Sequence, residues 1–184
     1  MKVNFKWTRP QKVEPVIIEQ VFAEKPGGGV VKAPAYDALA GTAVSENTDG
    51  SFSLIKSYKL FEAVSSDDSV LKLVKGSGIA KGDVIGHGVK AVACTAVDYS
   101  NTDYDLVTVT MGVNIPSGTV LYEAASASAD GAEVKATPSY VIGNNITGGE
   151  GDKAVRLING ANLRKETVLL ASEIVALIPT IKLV

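Results

Sequence analysis

The sequence predicts a mainly β protein: a small β-barrel-like body with one short C-terminal helix, preceded by an extended N-terminal arm. Three observations carry this. Leu106, Val107 and Val109 interleave with Thr108 and Thr110, the period-two pattern of a sheet with one buried face. Gly76, Gly78, Gly82, Gly86 and Gly88 punctuate short apolar runs, as tight turns with positive φ require. Only the window Leu163 to Leu177 reads as helix.

The chain divides into an arm at 1–34, a β-rich body at 35–137 and a closing β-α-β segment at 138–184. In the arm, Pro10, Pro15, Pro26 and Pro34 favour extended backbone. Lys2, Lys6, Arg9 and Lys12 all precede the first acid, Glu14. The arm is either a flexible terminus or an element that docks on a partner. In the second reading Trp7, Val16, Ile17 and Ile18 are apolar anchors, and Arg9 and Lys12 are rim cations. Gly27 to Gly29 reads as a hinge.

In the body, strands are expected at Thr42 to Val44, Phe52 to Ile55 and Tyr58 to Val64, with Asp49-Gly50 turning between the first two. Further strands are expected at Val70 to Val74, Asp83 to Ile85, Val89 to Thr95, Leu106 to Met111 and Thr119 to Glu123. Ile79 to Ile85 and Ile115 to Leu121 share one pattern: Ile, two residues, Gly, a polar residue, Val, an aliphatic. The pattern reads as one turn-to-strand device used twice in one sheet or barrel. Ala124 to Thr137 is a loop or linker, and Pro138 resets the chain.

The closing segment has strands at Tyr140 to Ile142 and Ala154 to Ile158. Asn159-Gly160 breaks the second, the helix follows, Pro179 stops it, and Ile181 to Val184 form a last strand. Leu170, Ile174, Leu177 and Ile178 fall on one helical stripe, for the core or for a neighbouring subunit.

Composition narrows the function. Hydrophobic residues make up 46% of the chain and charged residues 21%, enough for a packed core and against wholesale disorder. A net charge of −2 gives no general attraction to nucleic acid or acidic membranes. Aromatics at 6% are too few for a base- or sugar-stacking platform. One cysteine and one histidine exclude an intramolecular disulfide and a four-ligand Cys/His zinc site. There is no signal-peptide apolar region and no run near the ~20 apolar residues of a membrane span, so synthesis in the cytoplasm is expected.

No residue set assembles a reaction centre. His87 lies between two glycines and reads as a polar turn residue. Cys94 lies in an apolar run and reads as a small buried hydrophobe. Asp98, Asn101, Asp103 and Asp105 crowd one loop without EF-hand spacing. Gly148 to Lys153 lacks the order of a phosphate-binding loop. Asp67 and Asp68, as neighbours on a strand, would point to opposite faces. No catalytic residue, metal or cofactor is expected.

Two stretches resemble bacteriophage head-decoration and head-fibre proteins. One is KLVKGSGIAKGDVIGHGVKAVAC, ending at Cys94; the other is YVIGNNI followed by AVRLINGANLRKETVLL, with its Gly160-Ala-Asn-Leu163 turn. The resemblance runs from Leu73 to the C-terminus. It implies a β-tulip-like body, a homotrimer, the major capsid protein as partner, a place on the virion exterior and no catalytic residue. Tyr36 to Val64 has no counterpart in the small decoration proteins and fits a head-fibre base better. A second function class is a carbohydrate- or cell-surface-binding β-module with a host-surface glycan as partner, although the exposed aromatics and secretion signal usual for one are lacking.

Overall fold

The computed structural model describes residues 15–184. Their elements are β1 (Ile18–Glu24), β2 (Gly29–Val31), β3 (Ala43–Glu46), β4 (Phe52–Leu54), β5 (Ser57–Lys59), β6 (Val70–Val74), β7 (Val84–His87), β8 (Lys90–Ala93), β9 (Ala96–Asp98), β10 (Tyr104–Thr108), β11 (Val120–Glu123), β12 (Tyr140–Ile142), β13 (Lys153–Val155), β14 (Leu157–Leu163), α1 (Ser172–Leu177) and β15 (Ile181–Leu183). The fold is mainly β, with 41% strand against 4% helix.

The strands form three sheets. An eight-stranded sheet, curled into a half-barrel, runs β1-β14-β12-β3-β4-β2-β13, with β15 alongside β14. A four-stranded sheet runs β5-β11-β7-β8, and a three-stranded sheet runs β6-β10-β9. The large sheet draws β1 to β4 from the front of the chain and β12 to β15 from its end. Residues 57–123 make the two smaller sheets.

The middle of the large sheet is buried on both faces. Ala43, Val141 and Ile158 join one core with α1 and with Tyr122 and Ala124 of the four-stranded sheet. Their neighbours Val44, Ile142 and Leu157 join another, with Val31 and Phe52. Successive side chains on a strand point to opposite faces, so both residues of each pair are apolar. A third core lies between the two smaller sheets, around Tyr58, Leu71, Leu73, Ile85, Val107 and Leu121.

The repeated turn device is present, and both copies feed one sheet. Gly82 and Gly118 have φ of 93° and 79°. Asp83 N donates to Ala80 O, and Thr119 N donates to Pro116 O. Each turn feeds a strand, β7 or β11, and those strands pair antiparallel. A third copy stands at Ala38-Leu-Ala-Gly-Thr-Ala-Val44. Gly41 has φ 86°, Thr42 N donates to Leu39 O, and the chain enters β3. Here alanine replaces the aliphatics at two places, which hides the pattern in the sequence.

Several expectations are corrected. The helix is confined to Ser172–Leu177 instead of starting at Leu163. Backbone groups before it are taken by residues flanking two strands: Arg164 N donates to Ile17 O, just before β1, and Lys165 N to Val184 O, just after β15. Asn159-Gly160 does not break a strand, since β14 runs through it. A Cβ on Gly160 would stand 3.2 Å from the Cβ of Ala23 on β1, so this glycine permits close strand approach. The glycines at 27–29 are not a free hinge. A Cβ on Gly28 would lie 2.3 Å from Val155 O, and one on Gly29 would strike Leu157 and Phe52. The strand expected at Tyr58 to Val64 is short, β5, followed by single bridges from Leu60 to Leu73 and Val64 to Ile115. β9 was not anticipated.

Candidate interaction surface

The N-terminal segment enters the described fold at Pro15 and is tied down at once. Val16 O accepts from Thr167 Oγ1 at 2.6 Å, and Ile17 O accepts from Arg164 N at 2.9 Å. Ile17 is buried in the core beneath α1. β1 then pairs antiparallel with β14, with irregular register at three points. β1 is the end strand of the large sheet, and no strand lies beyond it among the described residues. Such an edge presents unpaired N–H and C=O groups.

The side chains of β1 are mostly solvent-facing. Phe22 is 58% exposed, and Val16, just before the strand, is 52% exposed. Carboxylates sit towards both ends: Glu19 pairs with Arg164 at 2.7 Å, and Glu24 pairs with Arg156 at 2.6 Å. Exposed pairs of this kind contribute little to stability. A shallow depression of about 310 Å³ opens beside the start of the strand, between Pro15 to Ile18 and Ala40, Gly143 and Asn145. An exposed apolar edge rimmed by acids can bind an extended segment, with main-chain bonds for affinity and side chains for selection.

The residues proposed from sequence for partner binding separate. Trp7, Arg9 and Lys12 lie outside the described residues. Val16 is exposed, Ile18 is half-buried and packs against the core, and Ile17 belongs to the core itself. Ile17 therefore acts as the anchor of the arm to its own body. Of the helical stripe, Leu170, Ile174 and Ile178 are buried, whereas Leu177 is 49% exposed. Leu170 lies before α1, outside the helix, so the four never share one helical face.

The other singled-out residues have local roles. His87 and Lys90 flank the Gly88-Val89 turn joining β7 and β8. Cys94 is buried, which pushes its thiol pKa up, and its S–H donates to Ala96 O at 3.3 Å. In the acidic loop, Asp98 and Asn101 accept from backbone N–H groups two residues on, while Asp105 turns into the core to hold Ser77. Gly148 lies against the backbone of Tyr36, and its N–H donates to Asp37. Among the described residues, no three His, Cys, Asp or Glu side chains converge as a metal site. No described helix is long and apolar enough to cross a membrane.

One polar cluster is invisible in the sequence. Asp83 Oδ2 accepts from Lys56 Nζ at 2.6 Å, Ala80 N at 2.8 Å and Tyr58 Oη at 3.4 Å. Glu123, 2% exposed, accepts from Lys135 Nζ at 2.6 Å and Lys56 N at 3.1 Å. Burial raises the Tyr36 and Tyr58 pKa values, and the charges of Glu123 and Asp83 raise them further, so both phenols keep their protons. The set spans residues 36–135 in sequence and joins the loop after β2 to the four-stranded sheet. Only an acid at the end of an apolar strand, Val-Leu-Tyr-Glu123, hints at it.

No protein-family model, no curated protein and no solved structure matches this chain.

Proposed function

We propose that this chain is a non-catalytic virion structural protein, a homotrimeric head-fibre or decoration subunit that binds the major capsid protein on the outside of a phage head. The resemblance of Leu73 to Val184 supplies the kind of assembly. The observation that carries an interaction role is the open edge of β1, which continues directly into the segment bearing Trp7, Arg9 and Lys12. A trimer engaging several capsid subunits at once gains affinity through effective concentration.

The test is co-sedimentation with heads assembled from the major capsid protein of the same genome. The full chain is expected to bind to saturation, and a chain lacking Met1 to Glu14 to lose binding while keeping its melting temperature. The deletion must stop there, because Ile17 and β1 belong to the fold. Failure of the full chain to bind heads overturns the proposal.

A further inference from the structure

We infer that the strand covering the open edge of β1 is residues 2–9 of a neighbouring copy of this chain. The inference rests on the N-terminal segment being a docking element, and it names that element's first partner.

The acceptor is on the described fold. β1 has seven residues, ends the large sheet and carries Phe22 at 58% exposure. A strand of this length with an exposed phenylalanine and an open ladder is a pairing template unless something covers it.

The donor is legible in the chain. Met1, Val3, Phe5 and Trp7 alternate strictly with Lys2, Asn4, Lys6 and Thr8. That is the pattern of a strand with one apolar face. Charge also matches. Residues 1–14 take four of the 18 basic and one of the 20 acidic side chains, leaving 14 against 19, a net −5, for the rest. β1 itself carries Glu19 and Glu24 and no cation. Each glutamate already holds an arginine, so the incoming lysines would share them. Opposite charges across strands are favourable.

The choice of a neighbouring copy over the same chain follows from the connection. Covering its own β1 would require the chain to reverse between Arg9 and Val16, through Pro-Gln-Lys-Val-Glu-Pro. This stretch has no Gly, Asn or Asp for the positive φ of a tight reversal. Its two prolines instead fix φ and bias the residues before them to extended backbone. Six extended residues reach about 20 Å, far enough to leave the subunit. Each copy then gives one strand and accepts one, so that every β1 edge is covered in a closed oligomer.

Trp7 is the only tryptophan, which makes the contact readable. A chain lacking Met1 to Arg9 has no indole, so a peptide of residues 1–9 reports its own binding by fluorescence. The expected result is a blue-shifted, saturable signal on adding peptide to the truncated chain, weaker at high salt and at least tenfold weaker with Phe22→Lys. By light scattering the full chain is expected to be an oligomer. The truncated chain and full-length Phe22→Lys are expected to be monomers with retained cooperative melts. Phe61→Lys, at another exposed apolar residue, is expected to keep the oligomer. A monomeric full chain, an oligomer that survives the truncation, or a peptide that does not bind overturns the inference. Loss of head binding on truncation with the oligomer intact would leave the capsid reading standing and remove this one. Loss of the oligomer on truncation, together with a full chain that fails to bind heads, would leave this inference standing and remove the capsid reading.

Discussion

Asp105 shows how this core holds a charge. It is buried on β10, with Oδ2 accepting from Ser77 N at 3.1 Å and Ser77 Oγ at 2.8 Å. Lys75 Nζ stands 3.0 Å from Oδ1 as an ion partner, outside hydrogen-bond alignment. Burial pushes the carboxyl pKa up, but Lys75 and Ser77 outweigh it and hold it below the ordinary value. A depressed carboxyl pKa contributes stability that is full above the unfolded value of about 3.9 and is lost as pH falls through the folded one. Asp105→Asn is therefore expected to cost about 1.5–3 kcal/mol at pH 7 in urea melts, with the gap to the parent narrowing below about pH 4. Two tyrosines give a contrasting pair. The Tyr36 hydroxyl is buried without a partner, whereas Tyr122 Oη donates to Gly88 O at 2.8 Å. Tyr36→Phe is expected to be neutral or slightly stabilising, and Tyr122→Phe to cost about 1 kcal/mol in the same melts.

Elements here are placed by what their backbone groups can reach. The window 163–177 has helical spacing, yet its first residues bond to chain flanking β1 and β15, and six residues remain for α1. An isolated helix that short has no stability of its own, so α1 depends on the packing of Ile174 and its flanks. Leu170 and Leu177 share one stripe by sequence but not by burial. Leu170→Ala is expected to cost about 2–5 kcal/mol, and Leu177→Ala less than about 1 kcal/mol, compared by chemical denaturation. Equal losses would mean that Leu177 is covered, by a partner or by a different helix placement. The β7–β11 pair shows the same dependence on reach. A Cβ on Gly86 would lie 2.3 Å from the Tyr122 ring, so the glycine is what lets the aromatic close over the neighbouring strand.

The whole molecule is held together by pairings between distant parts of the chain. β1 joins β14, and β2 joins β13, across more than a hundred residues. The large sheet therefore cannot form until both ends of the chain are present. Folding dominated by such pairings is slow, because loop closure must precede the contacts that reward it. Refolding by stopped-flow fluorescence is expected in milliseconds to seconds, and equilibrium unfolding of the described body as one transition. Microsecond refolding, or two separated transitions for the large sheet and residues 57–123, would contradict this account. The Asp83 and Glu123 clusters sit where the loop after β2 meets the smaller sheets, which couples the two parts.

The mainly β class, the repeated glycine turn and most strand positions were written in local sequence. Period-two alternation and turn residues act over a few neighbours, so one chain suffices to read them. The Asp49-Gly50 turn and the strand at Val70 to Val74 are examples. Tertiary structure alone decided which glycines turn the chain and which admit a neighbour, as at Gly28, Gly86 and Gly160. It also decided that Ile17 is core, that Leu177 is surface and that β1 ends a sheet. Those facts depend on partners from 36 to more than a hundred residues away, to which no local pattern is sensitive. The N-terminal run of cations and alternating apolar residues was legible in the sequence, but the edge of β1 was not. A sheet edge is a property of the assembled sheet, fixed only when β14 takes β1 on one side and no strand among the described residues takes the other.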